Sequence, residues 1–355
     1  MFLVINNKLA IKEKITQNIF NQIKYESDLD SYNKRQLLAK ISQIQLDQKE
    51  HTIISSFVAN VEMALKKVSD NLLANELSNR PNATEIETDK ESLRVLEGVV
   101  RCGSFAKQTF LKSDRLIELA VLCKQIPSYL LVKEISLQLE SELKKNQSTS
   151  TYELNADDMT IRNESCIYAN NALEINSNAT YKIKIMFTSL SLTNNSGGSE
   201  PKTDLSIDKC KSALTQIMRL KWFNAKLKPI SNSVLVLGIV RDLVRRIPTW
   251  SVLDDWLIEL IVDLAFSRNK YEEVAKKLQT FFEIIAGGCL LLSSLRIEST
   301  EHDYLTINDP CTNQDAFENV ITCQQRYDLV ASAQHALRLI VFKRINEVLA
   351  IDTCC

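Results

Sequence analysis

The sequence predicts an α+β fold, in which a module with a mixed sheet precedes an all-helical module. Apolar runs flank the pair Gly103-Ser104, and residues 181–187 alternate apolar and polar side chains as strands do. After Asp208, apolar residues recur at helical spacing instead. Residues 194–201, NNSGGSEP, have the composition of a linker between the two regions. A length of 355 residues is enough for two such domains.

The chain is predicted to contain three segments. Residues 1–50 are expected to form a helical or partly ordered extension. Residues 51–205 are expected to form the sheet-containing module, and residues 206–355 the helical module. The sheet module opens with an amphipathic helix over residues 53–75. Its apolar stripe consists of Ile54, Phe57, Val61, Ala64, Leu65 and Val68.

Strands of the first module are predicted in three regions. Leu93 to Cys102 leads into the Gly-Ser pair, Leu116 to Cys123 forms the next strand, and residues 151–192 supply the others. Between the second and third regions, Pro127 precedes a helix over residues 129–145. The apolar side of that helix is predicted to consist of Leu130, Leu131, Ile135, Leu139 and Leu143.

The second module is predicted to consist of successive helices with short connections. Pro248 ends one helix and Gly287-Gly288 closes another. Residues 308–311, NDPC, lie in a loop before the final helix or helix pair. The predicted helices cover residues 210–227, 234–246, 253–266, 271–286 and 324–351.

The composition argues against several kinds of site. A net charge of −1 means that any nucleic-acid surface must be a local patch. The nine cysteines include no C-x-x-C pair and lie mostly in apolar runs, which predicts buried free thiols and no metal site. No apolar run is long enough to span a membrane, and the first residues lack a signal peptide's cationic leader. We therefore expect a nuclear or cytoplasmic protein, or one found in both compartments.

The stretch from Val100 to Cys123 has the layout of a polymerase-β-type nucleotidyltransferase site. In such enzymes, the backbone amides of a Gly-Ser turn hold a triphosphate. Carboxylates at positions i and i+2 of the next strand then hold two metal ions. Glu118 occupies the second of these positions, but Leu116 occupies the first. Asp114 would lie about 13 Å from Glu118 along a strand, which is too far for the two carboxylates to share the metal ions.

A third carboxylate in such enzymes comes from a later strand of the same sheet. The candidate strand at 181–188 carries Lys182 and Lys184 instead, and these side chains repel cations. The sequence therefore predicts no catalytic residues and no metal or other cofactor. Weak binding of a nucleoside triphosphate at Gly103, Ser104, Lys107 and Glu118 is the alternative to a tight turn kept only for the fold.

Six segments, in collinear order from about residue 60 to 355, carry a family resemblance. They are ALKKVSDNL (64–72), LRVLEGVVRCGSFAKQTFLKSDRLIELAVLC (93–123), ALTQIMRLKWFNAK (213–226), VLVLGIVRDLVRRIPTW (234–250), NDPC (308–311) and SAQHALRLIVFKRINEVLAID (332–352). Together they resemble the DZF family (domain associated with zinc fingers), which includes the zinc-finger RNA-binding protein, the spermatid perinuclear RNA-binding protein and the interleukin enhancer-binding factors. The stretches RIPTW and SAQHALRL look more like the larger members.

This resemblance implies a nucleotidyltransferase-like fold that is catalytically inactive and dimerises. Family members pair as heterodimers through their helical halves, so the implied partner is the smaller interleukin enhancer-binding subunit. Their RNA binding comes mainly from separate zinc fingers or double-stranded-RNA-binding domains. Neither is found in this sequence, so a role in RNA processing would involve mainly indirect contact with RNA. The competing functions are an active template-independent nucleotidyltransferase and an autonomous RNA binder.

Two groups of residues are candidates for contacts with partners. A dimer contact is predicted at Asp309, Pro310 and Cys311 and at Gln334, His335 and Arg338, with internal packing as the alternative. An RNA-backbone patch is predicted from six basic residues, with a solvated helix face as the alternative. The six are Lys221, Lys226, Lys228, Arg241, Arg245 and Arg246.

Overall fold

The computed structural model describes residues 30–78, 93–145, 152–172, 180–193, 204–268, 273–292, 307–312, 316 and 320–351. It contains two compact units, divided between Gln45 and Leu46 and again between Ala225 and Lys226. The sheet unit spans residues 46–225, and the helical unit joins residues 30–45 to those from Lys226 onward. The second division lies twenty residues beyond the predicted one at 205/206. The predicted linker at 194–201 lies outside the described residues.

Five strands form one mixed sheet in the sheet unit, with the order β1-β2-β5-β4-β3. The central pair β2 and β5 is parallel, and the other neighbouring pairs are antiparallel. β2 has the predicted bounds. The strands are β1 (Leu96–Cys102), β2 (Leu116–Cys123), β3 (Tyr152–Asn155), β4 (Cys166–Ala172) and β5 (Thr180–Ser189).

Helices α2 (Gln48–Ser78) and α4 (Tyr129–Lys145) cover one face of the sheet with a large apolar core. The predicted stripe on α2 is fully buried there, and α4 has the predicted bounds. One residue of the predicted α4 stripe is corrected, because Leu130 is 74% exposed. Val132 is buried instead, since it lies on the same side of the helix as Ile135 and Leu139.

A short helix, α5 (Asp158–Glu164), interrupts the region that was predicted to be wholly β. Asp157 caps it, because the backbone N–H of Thr160 donates to Asp157 Oδ1 at 2.9 Å. Packing against α4 then fixes its position through an ion pair between Lys133 Nζ and Asp158 Oδ1.

Helix α6 (Ile207–Lys226) covers the opposite face of the sheet. Its Ala213 and Ile217 pack against the small side chains of Cys102, Ala120 and Cys166. This contact explains why α6 belongs to the sheet unit, although the change to helical periodicity suggested a boundary before it.

The helical unit has its core around Trp250, whose ring lies 6.0 Å from that of Phe281 and 5.8 Å from that of Phe282. The final helical region is a pair of helices, one of the two predicted alternatives, because Lys343 takes a positive φ of 60° between α11 (Cys323–Val341) and α12 (Ile345–Leu349). Within the described residues, no helix is long and apolar enough to cross a membrane. The helices are α1 (residues 30–44), α7 (Ser233–Arg246), α8 (Asp255–Arg268), α9 (Val274–Ala286), α10 (Cys289–Leu292), α11 (Cys323–Val341) and α12 (Ile345–Leu349).

Helix α1 docks on the helical unit through a buried apolar side and a buried ion pair. Leu37 and Ile41 are buried, and Lys40 Nζ lies 2.9 Å from Asp242 Oδ2 of α7. Tyr32 Oη also donates to Asn346 Oδ1 at 3.5 Å. The part of the predicted extension that forms α1 is therefore an integral helix of this unit.

Candidate functional site

The Gly-Ser pair forms the single helical turn α3 (Gly103–Ala106) directly after β1. Gly103 has a φ of +64°, a conformation that favours glycine. A Cβ atom at this position would lie only 2.2 Å from Glu118 Oε2. The Glu118 carboxylate therefore lies directly against the turn, and two constraints require glycine here.

Strand register places lysines beside the acidic strand. β5 pairs in parallel with β2, so that Lys182 lies opposite Leu116 and Lys184 lies opposite Glu118. Leu116, at the position of the missing first carboxylate, is 45% exposed. Residues paired across neighbouring strands project from the same face, so these four side chains share the face that α6 partly covers. The row carries one carboxylate and two ammonium groups.

Asp114 lies in the turn before β2 and not on the strand. The backbone N–H of Leu111 donates to Asp114 Oδ2 at 2.7 Å, and the N–H of Asp114 donates to the Leu111 carbonyl at 2.9 Å. This buried carboxylate stabilises the turn.

Lys107 is buried at the end of α3, where its Nζ lies 5.5 Å from the centre of the Phe223 ring. Burial, together with the negative charge of Glu118, raises the pKa of the nearby Cys102 thiol to about 12, and the positive charge of Lys107 opposes this rise. The structure therefore brings Gly103, Ser104, Lys107 and Glu118 together. Nucleotide binding by them stays a prediction.

Sequence reasoning missed three other side chains at this end of the sheet. Tyr168 lies opposite Lys184 on β4. Glu164 Oε2 lies 3.1 Å from Lys209 Nζ and 4.0 Å from Lys184 Nζ. Burial raises the pKa of Tyr168 to about 12, so its phenol is neutral at ordinary pH. The register of β4 on β5 places Tyr168, whereas Glu164 and Lys209 meet through the packing of α5 and α6.

The described residues contain no group of three or more His, Cys, Asp or Glu side chains that could hold a metal ion. Glu118 and Glu164 both lie near lysines, and the Asp114 carboxylate is buried in its turn. The donor set around Glu118 therefore does not fit a two-metal centre, which needs several carboxylates around the ions.

Family models match the chain along almost its whole length. The DZF N-terminal domain matches residues 10–228, and the DZF C-terminal domain matches residues 232–355. The chain belongs to the DZF family. The junction of the two DZF models lies close to the structural division after Ala225. The N-terminal DZF model also includes α1, which the structure groups with the helical unit.

Solved structures similar to this DZF protein have the nucleotidyltransferase-like fold. E. coli MS115-1 CdnC, solved with ATP, is 13% identical with a TM-score of 0.52, over 90% of this chain and 98% of that one. Vibrio cholerae DncV cyclic AMP-GMP synthase is 9% identical with a TM-score of 0.51, over 87% and 92%. A cytoplasmic RNA terminal U-transferase is 12% identical with a TM-score of 0.50, over 90% and 98%. At these identities the likeness shows the fold alone.

The predicted dimer-contact residues of the DZF protein differ in exposure. Asp309 is buried, and its carboxylate accepts from Trp256 Nε1 at 3.0 Å and from the backbone N–H of Cys311 at 2.7 Å. Internal packing therefore accounts for Asp309. Pro310 is exposed and Cys311 is half-buried. Gln334, His335 and Arg338 are exposed on α11.

The predicted RNA-backbone patch is corrected at two positions. Arg241 is buried and forms two bonds of 2.8 Å with the Asp255 carboxylate. Arg246 pairs with Asp242 Oδ2 at 2.6 Å and also donates to the Val348 carbonyl at 3.2 Å. The remaining four are exposed, with Lys221 in the sheet unit and Lys226, Lys228 and Arg245 in the helical unit.

Proposed function

We propose that this DZF protein is a catalytically inactive nucleotidyltransferase-like protein that acts as a heterodimerisation module in RNA-binding and RNA-processing complexes of the nucleus, the cytoplasm or both. One observation carries the inactivity: Leu116 stands where the first metal carboxylate is needed, and Lys184 lies opposite Glu118. A protonated lysine has no lone pair to offer a metal ion and repels its charge. Phosphoryl transfer that depends on two metal ions therefore has no support at this row.

The inactivity is tested by incubating the chain with labelled nucleoside triphosphates, Mn²⁺ or Mg²⁺ and an RNA oligonucleotide. We expect no labelled product from the wild type. Leu116→Asp alone should also give none, because Lys184 still lies opposite the restored pair. Metal-dependent labelling that Glu118→Gln abolishes would show that the chain is an active enzyme.

The support for dimerisation comes from the exposed side of α11. Tyr327 on α11 is 57% exposed, and Phe342, which directly follows the last residue of α11, is 71% exposed. Exposed aromatic and arginine side chains are typical anchors of protein interfaces. The predicted contact residues Gln334, His335 and Arg338 lie between the two aromatic residues along the chain.

The partner that the resemblance implies is the smaller interleukin enhancer-binding subunit, and light scattering tests it. We expect the mass of a one-to-one complex when this chain is mixed with that subunit. Tyr327→Glu combined with Phe342→Glu should abolish the complex. The matched control is Leu130→Glu combined with Leu137→Glu, which changes two exposed apolar residues of the sheet unit. It should leave the complex intact. A chain that stays alone under all conditions would refute the heterodimer.

A weak nucleoside-triphosphate site is the second candidate function. It is favoured by the convergence of the Gly103-Ser104 turn, Lys107 and Glu118. Titration calorimetry with ATP and UTP would detect it. Heat that disappears in Lys107→Met, but persists in Lys66→Met on the exposed side of α2, would support the site. The absence of heat at millimolar ligand would refute the nucleoside-triphosphate site.

A further inference from the structure

The row of side chains formed by Leu116, Glu118, Lys182 and Lys184 carries more positive than negative charge. Lys182 is exposed, and no ion pair of it is found among the described residues. The side chain of Lys184 is 21% exposed and lies 4.0 Å from Glu164, which has a closer partner in Lys209. Glu118, the remaining acid of the row, is packed against Gly103.

One more cation, Lys112, is exposed in the turn before β2. Arg115 is exposed as well, but its guanidinium lies 5.1 Å from the ring of Tyr181, which is buried on the opposite face. The exposed acid Glu153 belongs to β3, two strands from Lys182 and about 10 Å away by the spacing of strands. The region around Lys182 is therefore locally basic in a chain with a net charge of −1.

The two lysines also have a regular spacing. Lys182 and Lys184 are two residues apart on a strand, so their Cα atoms are about 7 Å apart. Neighbouring phosphates of an extended nucleic-acid strand have a comparable separation. Beside the lysines lie the half-buried ring of Tyr168 and the exposed side chain of Leu116. A cationic track beside aromatic and apolar surface is characteristic of proteins that bind single strands.

We propose that Lys182 and Lys184 form a binding site for the phosphates of single-stranded nucleic acid, and that this site works without a divalent metal ion. It rests on the proposed function in one respect, namely that no metal ion occupies the row. This surface is distinct from the basic patch predicted on α6 and α7. Two arginines of that patch are committed to ion pairs, whereas Lys182 is exposed.

The test is the fluorescence anisotropy of a labelled oligouridylate titrated with the full chain in EDTA, over a series of salt concentrations. Binding is expected for the wild type, with a negative slope of log affinity against log salt. In Lys182→Gln/Lys184→Gln we expect weaker binding and a slope smaller in magnitude by about 1.4, because each phosphate contact of a single strand contributes roughly 0.7. Lys182→Arg/Lys184→Arg should bind like the wild type.

The matched control is Lys66→Gln/Lys144→Gln, which removes two exposed lysines from helices on the other face of the sheet. It should leave both affinity and slope unchanged. Thermal unfolding of every variant checks that the fold is retained. If the glutamine variant is unstable, the arginine variant can still be compared with the wild type.

Three results would overturn the proposal: no binding of the oligouridylate at low salt, equal loss in the matched control, or effective competition by ATP or polyglutamate at the same charge concentration. The last result would mean that the row binds mononucleotides or acidic protein segments. The labelling assay with nucleoside triphosphates is independent of this oligouridylate titration. An active enzyme would refute the proposed inactivity, whereas a failed titration would refute only the nucleic-acid site.

Discussion

The two faces of the sheet are built from different side chains. The face under α2 and α4 is packed with large apolar residues such as Phe57, Leu119 and Phe187. The face under α6 is packed mostly with small ones, including Cys102, Ala120 and Cys166, and it ends in a polar row. Large buried side chains contribute most to stability, so the first face holds the fold together. The polar row at the end of the second face therefore contributes less to the stability of the fold.

The largest effect that tests this comparison is expected for Phe187→Ala. Phe187 is fully buried in the large core, so the substitution should reduce the free energy of unfolding by about 3–5 kcal/mol. Cys166→Ala, fully buried under α6, should cost about 1 kcal/mol because it removes a single heavy atom. Urea denaturation measures both. Equal costs would mean that the two faces contribute alike.

Gly103→Ala should have a smaller effect, confined to the edge of the α6 face. We expect a loss of roughly 1–3 kcal/mol, because alanine is strained at this positive φ and its Cβ would clash with Glu118. Gly98→Ala on β1, the strand that leads into the turn, is the control and should not destabilise, since no atom lies within 4 Å of the added Cβ. Adding Glu118→Ala should recover the part due to the clash. No recovery would assign the whole cost to backbone strain.

A pH dependence of the α6 face is expected only in alkaline solution, with no effect at neutral pH. The pKa of Cys102 is raised from 9.0 to about 12, mainly by burial, so the folded state holds this proton more tightly than the unfolded state. The resulting stability is fully present below pH 9 and is lost as the pH rises through 12. Unfolding free energies measured across that range should decline less in Cys102→Ala than in the wild type. Parallel curves would contradict the raised pKa.

Local sequence patterns were sufficient to predict most helices and strands, and to predict that the four residues around the Gly-Ser turn lie together. The bounds of β2 and α4 were predicted correctly because apolar spacing and a preceding proline act over a few residues. Gly103, Ser104 and Lys107 are neighbours in sequence, and the adjacent antiparallel strand brings Glu118 beside them.

Non-local features could not be predicted in this way. The placement of Lys184 opposite Glu118 depends on a parallel pairing between strands more than sixty residues apart. The ion pair of Arg241 depends on the packing of α7 beside the start of α8, so the sequence alone showed only another basic residue in a helix. The assignment of α6 to the sheet unit likewise depends on which surface its apolar side meets.

The docking of α1 on the helical unit has a consequence for synthesis on the ribosome. The helix is made early, but its partners α7, α9 and α12 follow only after the whole sheet unit has been translated. At about 5–20 residues per second, Leu37 and Ile41 remain uncovered for roughly 15–60 s before the last helix emerges. Over that interval the nascent chain carries an apolar helix without its native partner, so a chaperone that shields it should raise the yield of folded protein.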